Sequence, residues 1–273
     1  MTARHPAVAG QFYPGSEKQA RAEIENAFRS PLGPGEIPEV ASDGERSIVG
    51  AVVPHAGWMF SGPVAAHVYA ALARDGFPET FIIIGPSHHG IGTPVAMTTE
   101  DFDTPLGTAT VDREIAGRLG WLVADDPVPH RYEHSIEVQL PFLQYLAGDV
   151  QFVPIAMAAQ DYETAAEVAN ELRAAIGAKD VVIIASSDFS HYIPAEAARQ
   201  QDRAVIDQIL AMNAPAIYDT VVRRDVSMCG YGPVMAMMLA CGGKRAELLK
   251  YATSGDVSPM REVVGYAGMV VRR

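Results

Sequence analysis

Three apolar runs in this chain each lead directly into side chains that bind metal ions or move protons. The run 47–53 is followed by Pro54-His55, the run 80–84 by Gly-Pro and then Ser87-His88-His89, and the run 180–185 by a Ser-Ser-Asp-Phe-Ser-His segment. Short runs rich in Val and Ile are typical of strands that a parallel sheet buries on both faces. The carboxyl ends of such strands lie along one edge of an open α/β sheet, where ligands bind. We therefore expect His55, His88, Asp188 and His191 to converge on one pocket.

The composition excludes several classes of function. Of the 273 residues, 21 are basic and 33 acidic, so the net charge is −12, which argues against a nucleic-acid partner. No apolar run approaches the roughly 20 residues of a membrane span, and the amino terminus lacks the apolar core of a secretory signal. The chain has only two cysteines, Cys229 and Cys241, so we expect no disulfide framework and a cytoplasmic location.

The order of predicted elements indicates the fold class. Strand patterns alternate with helix patterns at least four times, which favours one α/β domain over residues 1–273, with a mixed, mostly parallel sheet flanked by helices. Beyond the three runs above, strands are predicted at 95–98, 152–156, 246–253 and 263–271. Helices are predicted at 16–28, 64–73, 112–119, 134–146, 161–176, 195–212, 214–223 and 232–239. The aromatic segment 6–15 has two interpretations: it is an arm tucked on the domain, or its Phe12 and Tyr13 line the pocket.

Histidines that follow separate strands are candidate metal ligands, because imidazole is the commonest metal ligand in proteins. Cys229 lies directly ahead of a predicted helix, where the helix amino terminus lowers a thiol pKa and favours the metal-binding thiolate. An inert, buried Cys229 is equally compatible with the sequence. His67 falls inside a predicted helix and is interpreted as a packed or surface residue, and Cys241 as part of the core.

The segment Glu133-His134-Ser135-Ile136-Glu137 places two carboxylates around a histidine at the head of a predicted helix. On a helix, Glu133 and Glu137 share a face. They either accept the free ring N–H of metal-bound histidines or complement the helix dipole. The segment lacks the second histidine of a zinc-protease motif.

A hydrolase is a further alternative, since Ser87, Ser186 and Ser187 follow strands and histidines are available. The Gly-x-Ser-x-Gly elbow of many serine hydrolases is absent from the sequence. So are both glycine-rich phosphate-loop patterns, and nucleotide cofactors have no support.

Six motifs in this order together resemble one family. They are Pro54-His55-Ala56-Gly57-Trp58 with Ser61-Gly62, Gly85-Pro86-Ser87-His88-His89, Thr104-Pro105-Leu106, Glu133-His134-Ser135-Ile136-Glu137 with Leu140-Pro141, Ser186-Ser187-Asp188-Phe189-Ser190-His191, and Cys229-Gly230. The chain resembles the Memo-like proteins over nearly its whole length. In bacteria and archaea such proteins look like component B of the AmmeMemoRadiSam set, beside an AMMECR-type protein and a radical-SAM enzyme.

The resemblance implies a fold similar to class III extradiol dioxygenases, which are non-haem iron enzymes that open catechol rings. It matches His55, His88 and Cys229 to the family's metal-binding positions, and Asp188 and His191 to polar residues facing the metal. His191 corresponds to the acid/base histidine of the dioxygenases. Those enzymes use a carboxylate as third ligand, and the softer thiolate of this family favours copper or zinc more strongly. Eukaryotic members look like signalling adaptors with a redox or metal-handling role.

We therefore predict a metal-binding redox protein or oxygenase that acts on a small molecule, with iron(II) as the metal and copper or zinc as alternatives. Three protein ligands leave open positions for dioxygen and two substrate oxygens. His191 would move protons, with Asp188 setting its tautomer and charge. The residues expected to support the ligands or contact substrate are His89, Glu133, His134, Glu137 and Ser87. A non-catalytic binding or scaffold protein is the second hypothesis and a hydrolase the third.

Overall fold

The computed structural model of the protein describes residues 3–273. In this part of the chain the strands β1–β11 are, in order, Ile48–Val53, Thr80–Pro86, Val95–Met97, Phe102–Thr104, Gly107–Val111, Ala124–Asp125, Gln151–Met157, Val181–Ser186, His191–Ile193, Arg245–Thr253 and Val263–Arg272. The α-helices α1–α9 are Glu17–Arg29, Trp58–Asp75, Arg113–Ala116, Leu140–Ala147, Tyr162–Ile176, Ala195–Leu210, Ala214–Arg224, Tyr231–Ala240 and Ser254–Val257. A 3-10 turn at Glu137–Gln139 leads into α4.

The centre of the fold is a row of four parallel strands in the order β1, β8, β2 and β7. Antiparallel β11 and β10 extend the sheet beyond β1, and antiparallel β3 extends it beyond β7. Every residue of β1 and β2 is buried, because helices cover both faces of the central strands. The predicted fold class is confirmed: the structure is a single α/β domain with a mixed, mostly parallel sheet.

Several predicted boundaries were wrong. The helix expected from residue 64 begins at Trp58, so that Pro63 lies inside α2 instead of in its first turn. Because proline has no N–H, the carbonyl of Met59, four residues before Pro63, has no helical partner. Met59 is 66% exposed to water. The second strand does not stop before Gly85, since β2 continues through Pro86 and pairs with β7 to its end.

The helix predicted at 134–146 is also shorter than expected. Residues 133–136 are not helical, and α4 begins at Leu140, which places Pro141 in the first turn where proline is tolerated. None of the described helices has the length and apolarity that crossing a membrane requires.

Candidate metal centre

The carboxyl ends of β1, β2 and β8 deliver His55, His88 and Asp188, each two residues beyond its strand. Cys229 joins them from the loop that precedes α8. The ligand atoms of His55, His88 and Cys229 all lie within 4.8 Å of one another, and we call these three residues the His-Cys cluster. Its members differ in exposure: His55 is buried, Cys229 is half-buried and His88 is exposed. One side of the cluster therefore remains accessible.

The hydrogen bonds of His55 fix its tautomer. Its Nδ1 lies 2.9 Å from Ser186 Oγ, and that hydroxyl donates its single hydrogen to the carbonyl of Ser135. Ser186 Oγ must therefore accept from His55, which places the ring proton on Nδ1. The lone pair of Nε2 then faces Cys229 Sγ at 3.2 Å. Burial lowers the pKa of His55 well below its usual range, so the ring is neutral, as a metal ligand must be.

His88 has the same tautomer for a different reason. Its Nδ1 lies 2.9 Å from a carboxylate oxygen of Glu133, which can only accept, so Nδ1 carries the proton and Nε2 is free. Desolvation lowers the pKa of His88, but the hydrogen bond and charge of Glu133 raise it above its ordinary value. A histidine supported by a carboxylate in this way is a stronger ligand.

Glu133 acts on His88 as a positioning group and is poorly suited to bind a metal itself. Its carboxylate already accepts the backbone N–H groups of His88, His134 and Ser135 in addition to the ring of His88. His134 Nδ1 lies 3.5 Å from the same carboxylate, and its ring stacks on His88 with centroids 4.6 Å apart. A second group of donor atoms, His88, Glu133 and His134, therefore exists, but the hydrogen bonds already made by Glu133 make the His-Cys cluster the better metal site.

The sulfur of Cys229 is held by backbone groups on the rim of the sheet. The N–H of Asp188 donates to Sγ at 3.3 Å, and the side chain of Gln160 donates to the Cys229 carbonyl. Gly230 allows this approach, because a Cβ there would lie 2.5 Å from the carbonyl oxygen of Ser186. The pKa of Cys229 is raised and not lowered: desolvation raises it most, followed by the nearby charge of Asp188. A positive ion would reverse that balance.

Asp188 and His191 lie beside the His-Cys cluster. Asp188 Oδ1 accepts the backbone N–H groups of His55 and Ala56, and burial raises the pKa of Asp188 to about 6. The charge of His191 acts in the opposite direction and lowers the pKa of Asp188, and His191 is held by Ser227, two residues before Cys229. His191 Nδ1 donates to the carbonyl of Ser227 at 2.8 Å, so its Nε2 carries the lone pair in the neutral ring.

Three other predicted residues lie apart from the ligand atoms or make no contact with them. Glu137 is fully buried, but its carboxylate accepts from Arg4, Tyr13 and the N–H groups of residues 7 and 8, and so anchors the amino-terminal arm. Because residues 133–136 are not helical, Glu133 and Glu137 do not share a helix face, contrary to the expectation. His89 is exposed and its Nε2 bonds to the carbonyl of Tyr132. Ser87 Oγ is buried without a hydrogen-bond partner among the described residues.

His67 lies in α2, where its Nε2 bonds to the carbonyl of Leu32, as its interpretation as a packed helix residue implies. Sequence reasoning missed Gln139 and Gln160. Gln139 donates to Ser186 Oγ at 2.8 Å and completes the set of bonds that orients His55. A lone glutamine within a helix pattern carries no signal of such a role.

Two imidazole lone pairs and a thiol at the carboxyl edge of a parallel sheet, open on one side, define an α/β protein with a candidate metal-binding centre. The chain belongs to the family described as Memo-like protein, whose model matches residues 4–270. This confirms the resemblance seen in the sequence.

Among similar proteins, a MEMO1 family protein of Methanosarcina mazei is 50% identical, covering 99% of this chain and 100% of its own length. A MEMO1 family protein of Methanococcoides burtonii is 48% identical, covering 98% of this chain and 100% of its own. A crystal structure of an uncharacterized protein from Escherichia coli K12 has a TM-score of 0.55 at 11% identity, over 82% of this chain and 99% of that one. That likeness supports the fold alone.

Proposed function

We propose that this protein is a metal-dependent redox protein of the non-haem oxygenase type, acting on a small molecule through iron(II) held by the His-Cys cluster. The observation that carries the proposal is the pair of fixed tautomers. His55 and His88 each donate the Nδ1 proton in a hydrogen bond, so that in the neutral rings both Nε2 atoms carry a free lone pair, and that of His55 faces Cys229 Sγ. This arrangement supports a metal site, and oxygen consumption distinguishes an oxygenase from a metal-dependent scaffold.

The donor set fits a transition metal, since imidazole and thiolate suit iron, copper and zinc, whereas magnesium and calcium prefer oxygen. When bound, the ion supplies Lewis acidity and, for iron or copper, the capacity for electron transfer. His55, His88 and Cys229 would hold it on one side and leave the exposed side of His88 for the substrate.

His191 is the proton-transfer group in this proposal. Its neutral ring is held with the Nε2 lone pair available, which is the form that accepts a proton from a phenol or alcohol. Asp188, whose raised pKa of about 6 is lowered in part by the charge of His191, would stabilise the resulting imidazolium when it is ionised. The role expected for Asp188 in setting the tautomer belongs instead to the carbonyl of Ser227.

The serine geometry does not favour a hydrolase. Ser186 lies next to a histidine, but it is fully buried and its hydrogen goes to the carbonyl of Ser135. Ser187 Oγ donates to the carbonyl of Asp188. Ser87 Oγ has no basic partner among the described residues. No serine that follows these strands is therefore activated by a base.

The proposal includes a cellular setting. The family resemblance carried by the six sequence motifs favours a three-component system with AMMECR-type and radical-SAM partners, and the low cysteine content favours a cytoplasmic location. A reducing compartment suits a centre that needs Cys229 as a thiol, and both cysteines are free. A radical-SAM gene beside this one would support the system, and a position away from any such gene would argue against it.

Oxygen consumption tests the function. Protein loaded with iron(II) is offered a panel of catechols and related phenols, and we expect uptake that falls at least ~100-fold in His191→Ala while the metal content is unchanged. His5→Ala is the control, because His5 is exposed and pairs only with Asp103. Uptake that persists in His191→Ala would contradict the role of His191. No uptake with any phenol, together with a partner protein that maps to the exposed side of His88, would favour the scaffold hypothesis.

A further inference from the structure

We propose that the cavity between the amino-terminal arm, α1 and the start of α2 binds the substrate as an organic cation, with an aromatic or apolar body and an ammonium group that pairs with Glu23. This inference rests on the proposed function, because it assigns the substrate class of the same centre. We call the cavity the arm cavity. Its lining consists of Gly10, Gln11, Phe12, Tyr13, Pro14, Glu23, Gly57, Met59 and Phe60, and its volume is about 560 Å³.

The arm cavity adjoins the metal centre through two of its walls. The ring of Phe12 packs on the ring of His134, with centroids 4.6 Å apart, and His134 in turn stacks on His88. Gly57 follows His55 by two residues, and the N–H of Trp58 donates to the carbonyl of Phe12. A molecule seated here would contact Phe12 and Gly57, and the ring of His134 lies between Phe12 and the metal ligand His88.

The arm that forms one wall is fixed in place. The buried carboxylate of Glu137 accepts the N–H groups of Ala7 and Val8 and the hydroxyl of Tyr13. The Tyr13 ring stacks on Trp58, which is itself buried in α2. A preformed wall costs little ordering entropy when a ligand binds. Glu137, which lies away from the metal ligands, therefore shapes the cavity by holding the arm that forms its wall.

The wall is mostly apolar and aromatic, with the amide of Gln11 and a single carboxylate, that of Glu23. Phe12, Phe60 and Met59 offer two rings and a thioether, and Met59 is 66% exposed although it is apolar. Glu23 is half-buried on α1 and, within residues 3–273, its side chain makes no salt bridge or hydrogen bond. The neighbouring acids of the same helix, Glu17 and Glu25, pair with arginines four residues later. Glu23 is therefore the acid of α1 that remains available to a ligand.

A carboxylate in this position selects the charge of the ligand. Burial raises the pKa of Glu23, and among residues 3–273 no cationic side chain pairs with its carboxylate. An ammonium group on the bound molecule offsets the desolvation of the Glu23 carboxylate by ion pairing. A carboxylate on the bound molecule would instead place a second negative charge beside it in a half-buried setting. The aromatic walls also favour a cation over an anion.

The cavity has room for an elongated molecule. A second cavity of about 510 Å³ continues along α1 past Gln19, Ala22 and Asn26. The two cavities share Pro14, Glu23 and Met59, so Glu23 lies where they join. The ammonium group would bind at this junction, and the body of the molecule would extend toward Phe12 and the metal centre.

Three matched probes test the inference: phenethylamine, phenethyl alcohol and hydrocinnamate, which differ only in carrying a cationic, neutral or anionic end group. Titration calorimetry on the full chain is expected to show phenethylamine binding about tenfold or more tightly than either other probe. Glu23→Gln is expected to weaken phenethylamine about tenfold and to leave phenethyl alcohol within about twofold. Glu17→Gln is the control on the same helix, because Glu17 is exposed and paired with Arg21. The methyl resonance of Met59, assigned with Met59→Leu, should shift on binding.

The outcomes separate this inference from the proposed function. Equal affinities for the three probes, an unchanged phenethylamine affinity in Glu23→Gln, or no saturable binding of phenethylamine would each overturn the inference. The titrations are made both on protein as purified and after chelation of metal, since Glu23 is not a ligand. A further outcome is that phenethylamine binds as expected but no amine-bearing phenol supports oxygen uptake. That result would contradict the oxygenase proposal and would still support the binding site.

Discussion

His55 Nε2 lies 3.2 Å from Cys229 Sγ, although 174 residues separate the two in the chain. The nitrogen offers a lone pair, because the ring proton is committed to Ser186, so the thiol can donate its hydrogen to that nitrogen. A metal ion that binds both atoms must displace that hydrogen. The His-Cys pair is therefore a place where proton and metal compete.

Removing a ligand should remove the metal. We expect His55→Ala, His88→Ala and Cys229→Ser to reduce the metal bound per chain at least ~10-fold, because each deletes one of three converging donors. The quantity to measure is the metal content of protein purified from minimal medium. His67→Ala is the matched control, since His67 bonds to Leu32 away from the cluster. Wild-type metal content in His55→Ala and Cys229→Ser would refute the ligand assignment.

Metal affinity should rise with pH. The pKa of Cys229 is raised by desolvation, so the thiol is protonated near neutrality and must lose its proton when metal binds. One proton released per metal corresponds to about a tenfold gain in affinity for each pH unit below the thiol pKa. Competition with a chromophoric chelator at several pH values measures this slope. Cys229→Ser should flatten it, and an equal slope in both proteins would show that the proton comes from another group.

The strand-end histidines could be predicted from the sequence because their signals are local. Runs of Val and Ile mark strands buried on both faces, and parallel strands present their carboxyl ends at one edge. His55, His88 and Asp188 follow from that rule alone. Cys229 does not end a strand. Its place ahead of a predicted helix made it a candidate ligand, and the family resemblance grouped it with His55 and His88.

The hydrogen bonds that hold the metal ligands in place could not be predicted from the sequence, because they join segments that are distant in the chain. Glu133 and Glu137 look equivalent in the sequence. In the structure, Glu133 accepts the backbone N–H of His88, whereas Glu137 holds the amino-terminal arm by accepting a hydrogen bond from Arg4. Ser186 accepts the Nδ1 proton of His55 only because its own hydroxyl hydrogen is donated to the carbonyl of Ser135. The thiol pKa depends on desolvation, a property of the folded surroundings that outweighs the adjacent helix.

Asp202 should control the position of His191. This buried carboxylate accepts the N–H of Ser190 at 2.9 Å and the hydroxyl of Tyr251 at 2.7 Å, and Ser190 immediately precedes His191. Asp202→Asn replaces one acceptor with a donor, so we expect a loss of about 1–3 kcal/mol of stability. Oxygen uptake should fall with unchanged metal content. Asp207→Asn is the control on the same helix, as Asp207 is exposed and pairs with Arg203. Equal uptake and stability in the two variants would refute the positioning role.

His130 should make the protein less stable in mild acid. It is buried, its Nε2 donates to the carbonyl of Ala96, and its Nδ1 has no hydrogen-bond partner among the described residues. Burial, and then the charge of Arg4, lower the pKa of His130 from 6.5 to about 4. As the pH falls, His130 is therefore protonated near pH 6.5 in the unfolded chain but only near pH 4 in the folded chain. Stability from this group is complete above pH 6.5, falls as the pH drops toward 4, and changes no further below it.

The difference corresponds to about 3 kcal/mol when the transition is complete. His130→Gln keeps a donor for Ala96 but cannot titrate, so its deficit in stability relative to wild type should shrink as the pH falls through this window. Urea unfolding at a series of pH values measures the deficit. His5→Gln should have no such effect, because the side chain of His5 is 90% exposed. A deficit that is constant with pH would show that His130 takes up its proton equally in the folded and unfolded chains.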